Sequence, residues 1–243
     1  MRYKCVVAYK GTNYAGFQSQ INGIAIQDIL EDKLGIVFQE PVKIIMASRT
    51  DAGVHALGQV FHFDSDKELL TYKIKHSLNC MLPHDIHILN IEVVEETFHA
   101  RFNVKAKQYV YLINRGEYNV FYDGFAYQCP FELDVESMKE TMQLFLGEHD
   151  FSSFNTSRYE DHPNQVRTIY RFDLIEQEDI LRFEIVGSGF LRNMVRIIIG
   201  TLVDVGRHKK QIADVQNMLD VPNKDQRRNN IDPSGLYLKE IDY

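Results

Sequence analysis

"VKIIMASRTDAGVHALGQVFHFD", residues 42–64, sets two apolar runs on either side of a segment that carries far more than a hairpin needs. "VKIIMA" (42–47) and "GQVFHFD" (58–64) are rich in β-branched and aromatic residues and read as strands. Between them Arg49, Asp51 and His55 are gathered beside Gly53. An aspartate between strands is most often a turn former whose carboxylate bonds nearby backbone amides. The rival reading is an ionised carboxylate at a cleft edge, available as a nucleophile or a base. The residues alone leave both open.

Outward from that loop the pattern becomes regular. "RYKCVVAY" reads as a strand, and Ile26, Ile29, Leu30 and Leu34 fall at the spacing of an amphipathic helix. After the central pair, Leu70, Ile74 and Leu78 mark a second helix, and "IHILNIEVVE" closes the half as a strand. The order is β-α-β-β-α-β. The second half repeats it: "KQYVYLIN" as a strand, a helix marked by Val135, Met138, Met142 and Phe145, and a hairpin from "VRTIYRFDLIEQ" and "ILRFEIVG". A long helix over "FLRNMVRIIIGTLVDVG", a short one around "IADVQNML" and a last strand "GLYLKEIDY" follow. The expected fold is therefore α+β, with two ferredoxin-like halves whose antiparallel sheets carry helices on one side and leave a cleft between the halves. The expected domains are residues 1–104 and 105–243.

With 243 residues, 44% hydrophobic and 25% charged, the chain has an ordinary globular balance. No apolar run approaches membrane-spanning length, so no membrane partner is expected. The start reads as mature protein without a secretory signal. Cys5, Cys80 and Cys129 are odd in number and far apart, which points to free thiols and a cytoplasmic location.

A net charge of -7 argues mildly against nucleic acid, yet the charge is segregated. "FHARFNVKAKQYVYLINR" (98–115) holds Arg101, Lys105, Lys107 and Arg115 with no acid, and residues 189–210 hold five Lys or Arg against Asp204 alone. Such segregation can build a positive cleft on an acidic protein, although solvated helix faces give the same composition.

Other chemistries find less support. His76 and Cys80 share a helix face with His84 and His87 nearby, but no Cys-x-x-Cys pair completes a zinc set, so no metal is expected. "KGTNYAG" matches neither a P-loop nor a dinucleotide fingerprint. "VGSGFLRN" runs from a strand into a helix N-terminus and fits either an anion site or a plain tight turn. There is no Gly-x-Ser-x-Gly elbow and no second aspartate loop for a protease dyad.

The spelling adds what the physical chemistry leaves open. "SRTDAGVHALGQVFHF" closely resembles the signature of the tRNA pseudouridine synthase A family, usually Gly-Arg-Thr-Asp-Ala-Gly-Val-His-Ala. "YKGTNYAGFQSQ", "FHARFNVKAKQYVYLI", "HDFSSF", "VRTI", "GSGFLRNMVRIIIGTLVDVG" and "GLYLKEIDY" match in order along nearly the whole chain. The resemblance implies two α/β domains, a homodimer without cofactor, and conversion of uridine to pseudouridine in the tRNA anticodon stem-loop, at tRNA positions 38 to 40. It implies Asp51 as the catalytic aspartate, Arg196 as the arginine paired with it, Tyr109 as the tyrosine that stacks on the target base, and Arg49 as an RNA contact. Lys105 and Lys107, in the first basic stretch, join as substrate contacts. Ser48 stands where the family usually has glycine, Phe17 where tryptophan is common, and Arg192 where an aromatic is frequent. "NNIDPSGLYL" also departs from the usual approach to the last strand. The alternative is a catalytically silent or retargeted RNA-binding paralogue.

Overall fold

The computed structural model describes residues 1–160 and 163–243. Strict alternation of buried and part-exposed residues along Arg2–Tyr9 makes β1, with Tyr3, Cys5, Val7 and Tyr9 inward. Helix α1 (Ile26–Phe38) buries Ile26, Leu30, Leu34 and Phe38. Its start is held by Asp28, whose carboxylate accepts from the Ala25 N–H at 3.2 Å. Next come β2 (Ile45–Met46), β3 (His55–Asp64), α2 (Thr71–Met81) and β4 (Ile86–Val94). β1 lies antiparallel to both β3 and β4, and β2 pairs antiparallel with β3. Tyr3 stacks on Phe63 at 5.1 Å while Phe38 meets Tyr3 and Phe63 edge-on at 5.6 and 5.2 Å. Each such pair adds about 0.5–1.5 kcal/mol beyond its buried area.

The strand expected over 42–47 shortens to two residues for a local reason. The Ile44 N–H donates to the Glu31 carboxylate of α1 at 3.1 Å instead of to a strand. Beyond Met46 the Ala47 N–H bonds the Val60 carbonyl of β3, and the next rung is taken by a β3 side chain rather than by its backbone.

The second half contributes β5 (Ala106–Asn114), β6 (Tyr127–Gln128), α3 (Val135–Gln143), β7 (Gly147–Asp150), β8 (Val166–Gln177), β9 (Ile180–Gly187), α4 (Met194–Gly206) and α5 (Ile212–Asp220). Its sheet runs β5-β9-β8-β7 antiparallel, with β6 added parallel to β5. α4 is buried almost all round, and Phe145, Phe151, Phe154, Phe172 and Phe183 fill the core. α4 begins four residues later than its apolar pattern suggests, because Asn193 takes a left-handed φ of 60° that interrupts the helix.

The final strand, β10 (Leu236–Asp242), runs parallel to β3, with Tyr237 opposite His55 and Leu238 opposite Ala56. Contacts therefore divide the chain into a unit of Met1–Lys105 with Tyr237–Tyr243 and a unit of Ala106–Leu236. The terminal strand belongs with the first half, where the sequence reading leaves it in the second. Both units mix parallel and antiparallel pairing, so the fold is α+β with mixed rather than purely antiparallel strand pairing, and five α-helices stand among the described residues. No described helix is long and apolar enough to cross a membrane.

Candidate active site

In the first unit the segment Ser48–Val54 is held from several sides. The buried Gln59 side chain reads the Ser48 backbone: Ser48 N donates to Oε1 at 3.3 Å and Nε2 donates to the Ser48 carbonyl at 2.6 Å. The Tyr9 hydroxyl and Thr50 Oγ1 share a buried hydrogen bond of 2.7 Å. The Phe17 N–H donates to the Thr50 carbonyl and the Gly53 N–H to the Tyr14 carbonyl, both at 3.3 Å. Asp51 is half-buried and opens a turn closed by Val54 N donating to its carbonyl at 3.2 Å. Gly53 takes a φ of 79°, and Gly16, at φ 98°, lies so close beneath the loop that a Cβ would stand 2.6 Å from the Thr50 carbonyl. The glycines of "GTNYAGF" and "TDAG" thus let two loops lie backbone to backbone, and Arg49 is left exposed at the rim.

Two buried side chains steady this cradle. His55 Nδ1 accepts from the Gly11 N–H at 3.0 Å, and its ring stacks on Tyr237 at 4.7 Å. The Tyr14 hydroxyl donates to Asp85 Oδ1, and burial followed by that bond raises its pKa, so it stays a neutral donor. Lys105, exposed, donates through Nζ to the Tyr243 carbonyl at 3.0 Å.

The second unit holds Lys107, Tyr109 and Arg196. Tyr109 lies on β5 opposite Ile185 of β9; it is 5% exposed and meets Phe190 edge-on at 5.2 Å. Arg196 sits in the first turn of α4, where Nε donates to the Ile231 carbonyl at 2.7 Å and Nη1 to Asn193 Oδ1 at 3.0 Å. These two bonds fix the plane of the guanidinium. Phe190 belongs to "VGSGFLRN", whose Ser188 exchanges bonds with Thr168 at the start of β8: Ser188 N to the Thr168 carbonyl at 2.9 Å, and Thr168 N to Ser188 Oγ at 3.1 Å. That segment is a tied strand-to-helix turn.

Sequence reasoning passed over Gln59, Tyr9 and Thr50, which shape the aspartate loop, and Arg167, half-buried against the Gly189 backbone with its pKa lowered by desolvation. A polar Gln inside the apolar run "GQVFHF" was the available signal for the first. The His76–Cys80 pair lies 3.7 Å apart, and no group of three metal-ligating side chains occurs among the described residues.

Comparison with known proteins matches residues 5–103 and 141–243 to the family model described as tRNA pseudouridine synthase. A tRNA pseudouridine synthase A of Exiguobacterium sp. strain AT1b is 45% identical over 244 residues, covering 100% of this chain and 98% of the relative. Its namesake in Exiguobacterium sibiricum is 42% identical, covering 100% of this chain and 96% of the relative. That of Bacillus licheniformis is 41% identical, at 100% and 99%.

Proposed function

This chain belongs to the tRNA pseudouridine synthase family, and from that premise we propose that it converts uridine to pseudouridine in the tRNA anticodon stem-loop with Asp51 as the catalytic group. The reaction is an isomerisation. The C1'–N1 bond breaks, the base turns, C1' joins C5, the C5 proton leaves and N1 gains one. Nothing is oxidised or reduced. Asp51 serves as the nucleophile at C1' or as the base that takes a sugar proton, roles open to an ionised carboxylate held at the reacting carbon.

The observation that carries this reading is the way the loop is held. Ser48, Thr50 and Gly53 are pinned by Gln59, Tyr9, Phe17 and Tyr14, which positions Asp51 through the backbone on either side of it. A plain turn has no use for so many supports. Arg196 is read as the cation that favours the charged carboxylate. Tyr109, backed by Phe190, is read as the ring against which the base lies. Arg49, Lys105 and Lys107 are read as RNA contacts.

The reading extends to architecture. The unit of Met1–Lys105 with Tyr237–Tyr243 and the unit of Ala106–Leu236 are read as ferredoxin-like halves, the first presenting Asp51 and the second Tyr109 and Arg196, both serving to bind tRNA. Two copies form a homodimer, since one 28.3 kDa acidic chain offers limited positive surface to a long tRNA, and the enzyme works in the cytoplasm. Release of tritium from C5-labelled tRNA tests the activity, with mapping of the modified position. A protein that binds tRNA but releases no tritium is a silent paralogue. Light scattering at micromolar concentration tests the dimer, and a monomer sinks that part.

A further inference from the structure

Phe102 is 74% exposed, although a phenylalanine gains most by burial. The turn that carries it is rigid. The His99 N–H donates to Asn103 Oδ1, Asn103 N to the His99 carbonyl at 3.1 Å, and Arg101 N and Phe102 N both donate to His99 Nδ1, at 3.1 and 3.2 Å. The base of the turn is anchored in the core through Ala100, whose N–H donates to His62 Nδ1 at 3.1 Å and whose carbonyl accepts from the Tyr243 hydroxyl at 2.8 Å. So the ring stands in solvent by construction. One of its faces is stacked on the His99 imidazole, centroids 4.2 Å apart at 27°. The Arg101 guanidinium carbon lies 5.9 Å from the ring centroid.

An exposed aromatic backed by an imidazole, beside an arginine, in a stretch from 98 to 115 without one acid, has the chemistry of a base-stacking site. Every base offers a π-face, and the arginine answers the phosphate that comes with it. We propose that Phe102 is a stacking platform for an unpaired base of tRNA, with Arg101 on the adjoining phosphate. This rests on tRNA as the substrate, but not on the role of Asp51.

The chain contains no tryptophan, so Phe102→Trp gives the full-length protein a single tryptophan at the proposed platform, excited at the red edge where its tyrosines do not absorb. Titration with an unmodified tRNA transcript is expected to quench its emission in step with the gel shift, while heparin, a polyanion without bases, leaves emission unchanged. Phe102→Ala is expected to weaken tRNA binding roughly 5- to 100-fold with the slope of log affinity against log salt unchanged. Arg101→Gln is expected to reduce that slope by about one. Binding without quenching, or normal affinity of Phe102→Ala, overturns the platform alone. Emission that shifts to the blue with protein concentration in the absence of RNA also overturns it, and assigns the ring to a contact between protein copies. A wild-type protein with no affinity for tRNA overturns the substrate and the platform together.

Discussion

Gln59 treats Ser48 as a neighbouring strand would. Its amide accepts the Ser48 N–H at 3.3 Å and donates to the Ser48 carbonyl at 2.6 Å, filling the rung of the ladder at which the chain leaves β2 for the Asp51 loop. Gln59→Leu keeps the bulk and strands three buried backbone groups, the Ser48 N–H and carbonyl and the Val60 N–H, at about 1–3 kcal/mol each. Urea unfolding is expected to show that loss. Turnover is expected to fall in kcat with tRNA affinity unchanged, because the loop that carries the carboxylate loses its tether.

Asp51→Asn retains the turn, since asparagine suits such positions about as well as aspartate. Tritium release is expected to vanish while circular dichroism and tRNA gel shift stay normal. Normal turnover, with deamidation back to aspartate excluded, removes Asp51 from the mechanism.

Arg196→Met is expected to imitate Asp51→Asn in part, because it takes away a charge that favours ionised carboxylate. Tyr109→Phe keeps a ring against Phe190 and is expected to be mild in the tritium-release assay. Tyr109→Ala removes the ring and, on burial grounds, costs about 3–5 kcal/mol of stability as well. Its activity is therefore compared at a temperature where circular dichroism shows it folded.

Affinity for tRNA is expected to fall steeply with salt, as lysines and arginines displace condensed counterions. Neutralising Lys105, Lys107, Lys209 or Lys210 is expected to lower the log–log slope by about one each. A flat salt dependence in filter binding shows that the basic stretches are only solvated faces.

The buried His62 gives the protein a predictable acid limit. Its pKa is lowered from 6.5 to about 4, first by desolvation and then by Arg2 and His99, with Asp64 opposing. Between pH 6.5 and about 4 the unfolded chain binds a proton that the native state refuses, so stability rises with pH across that window and is flat above it as far as this group is concerned. His62→Gln, which can still accept the Ala100 N–H, is expected to reduce the slope of unfolding free energy in that window. An unchanged slope assigns acid sensitivity to other groups.

Periodicity carried the element order well, because β1, α1, β4 and α3 each bury one face that local spacing reveals. It failed where distant groups decide. β2 shrinks because Glu31 of α1, 13 positions back in the chain, takes the Ile44 N–H. β10 joins the first unit because its partner is β3, a pairing no local pattern encodes. For the candidate site, the residue types were legible as a loop with an aspartate out of the ordinary, and the family spelling supplied the expectation of Asp51, Arg196 and Tyr109 as its members. The supports were not. Gln59, Tyr9 and Thr50 act through bonds that span 11 and 41 positions of chain.

The parallel pairing of Tyr237 with His55 has a bearing on how the protein is made. A ribosome delivers residues 1–105 well before 237–243, and domains tend to fold as they emerge. The nascent first unit therefore waits with one edge of β3 vacant, at the end of the strand that leaves the aspartate loop, and with the ring of His55 lacking the Tyr237 it stacks on. A chain released before Tyr237 leaves the half that carries Asp51 without β10, so assembly of that half waits on synthesis of residues 237–243.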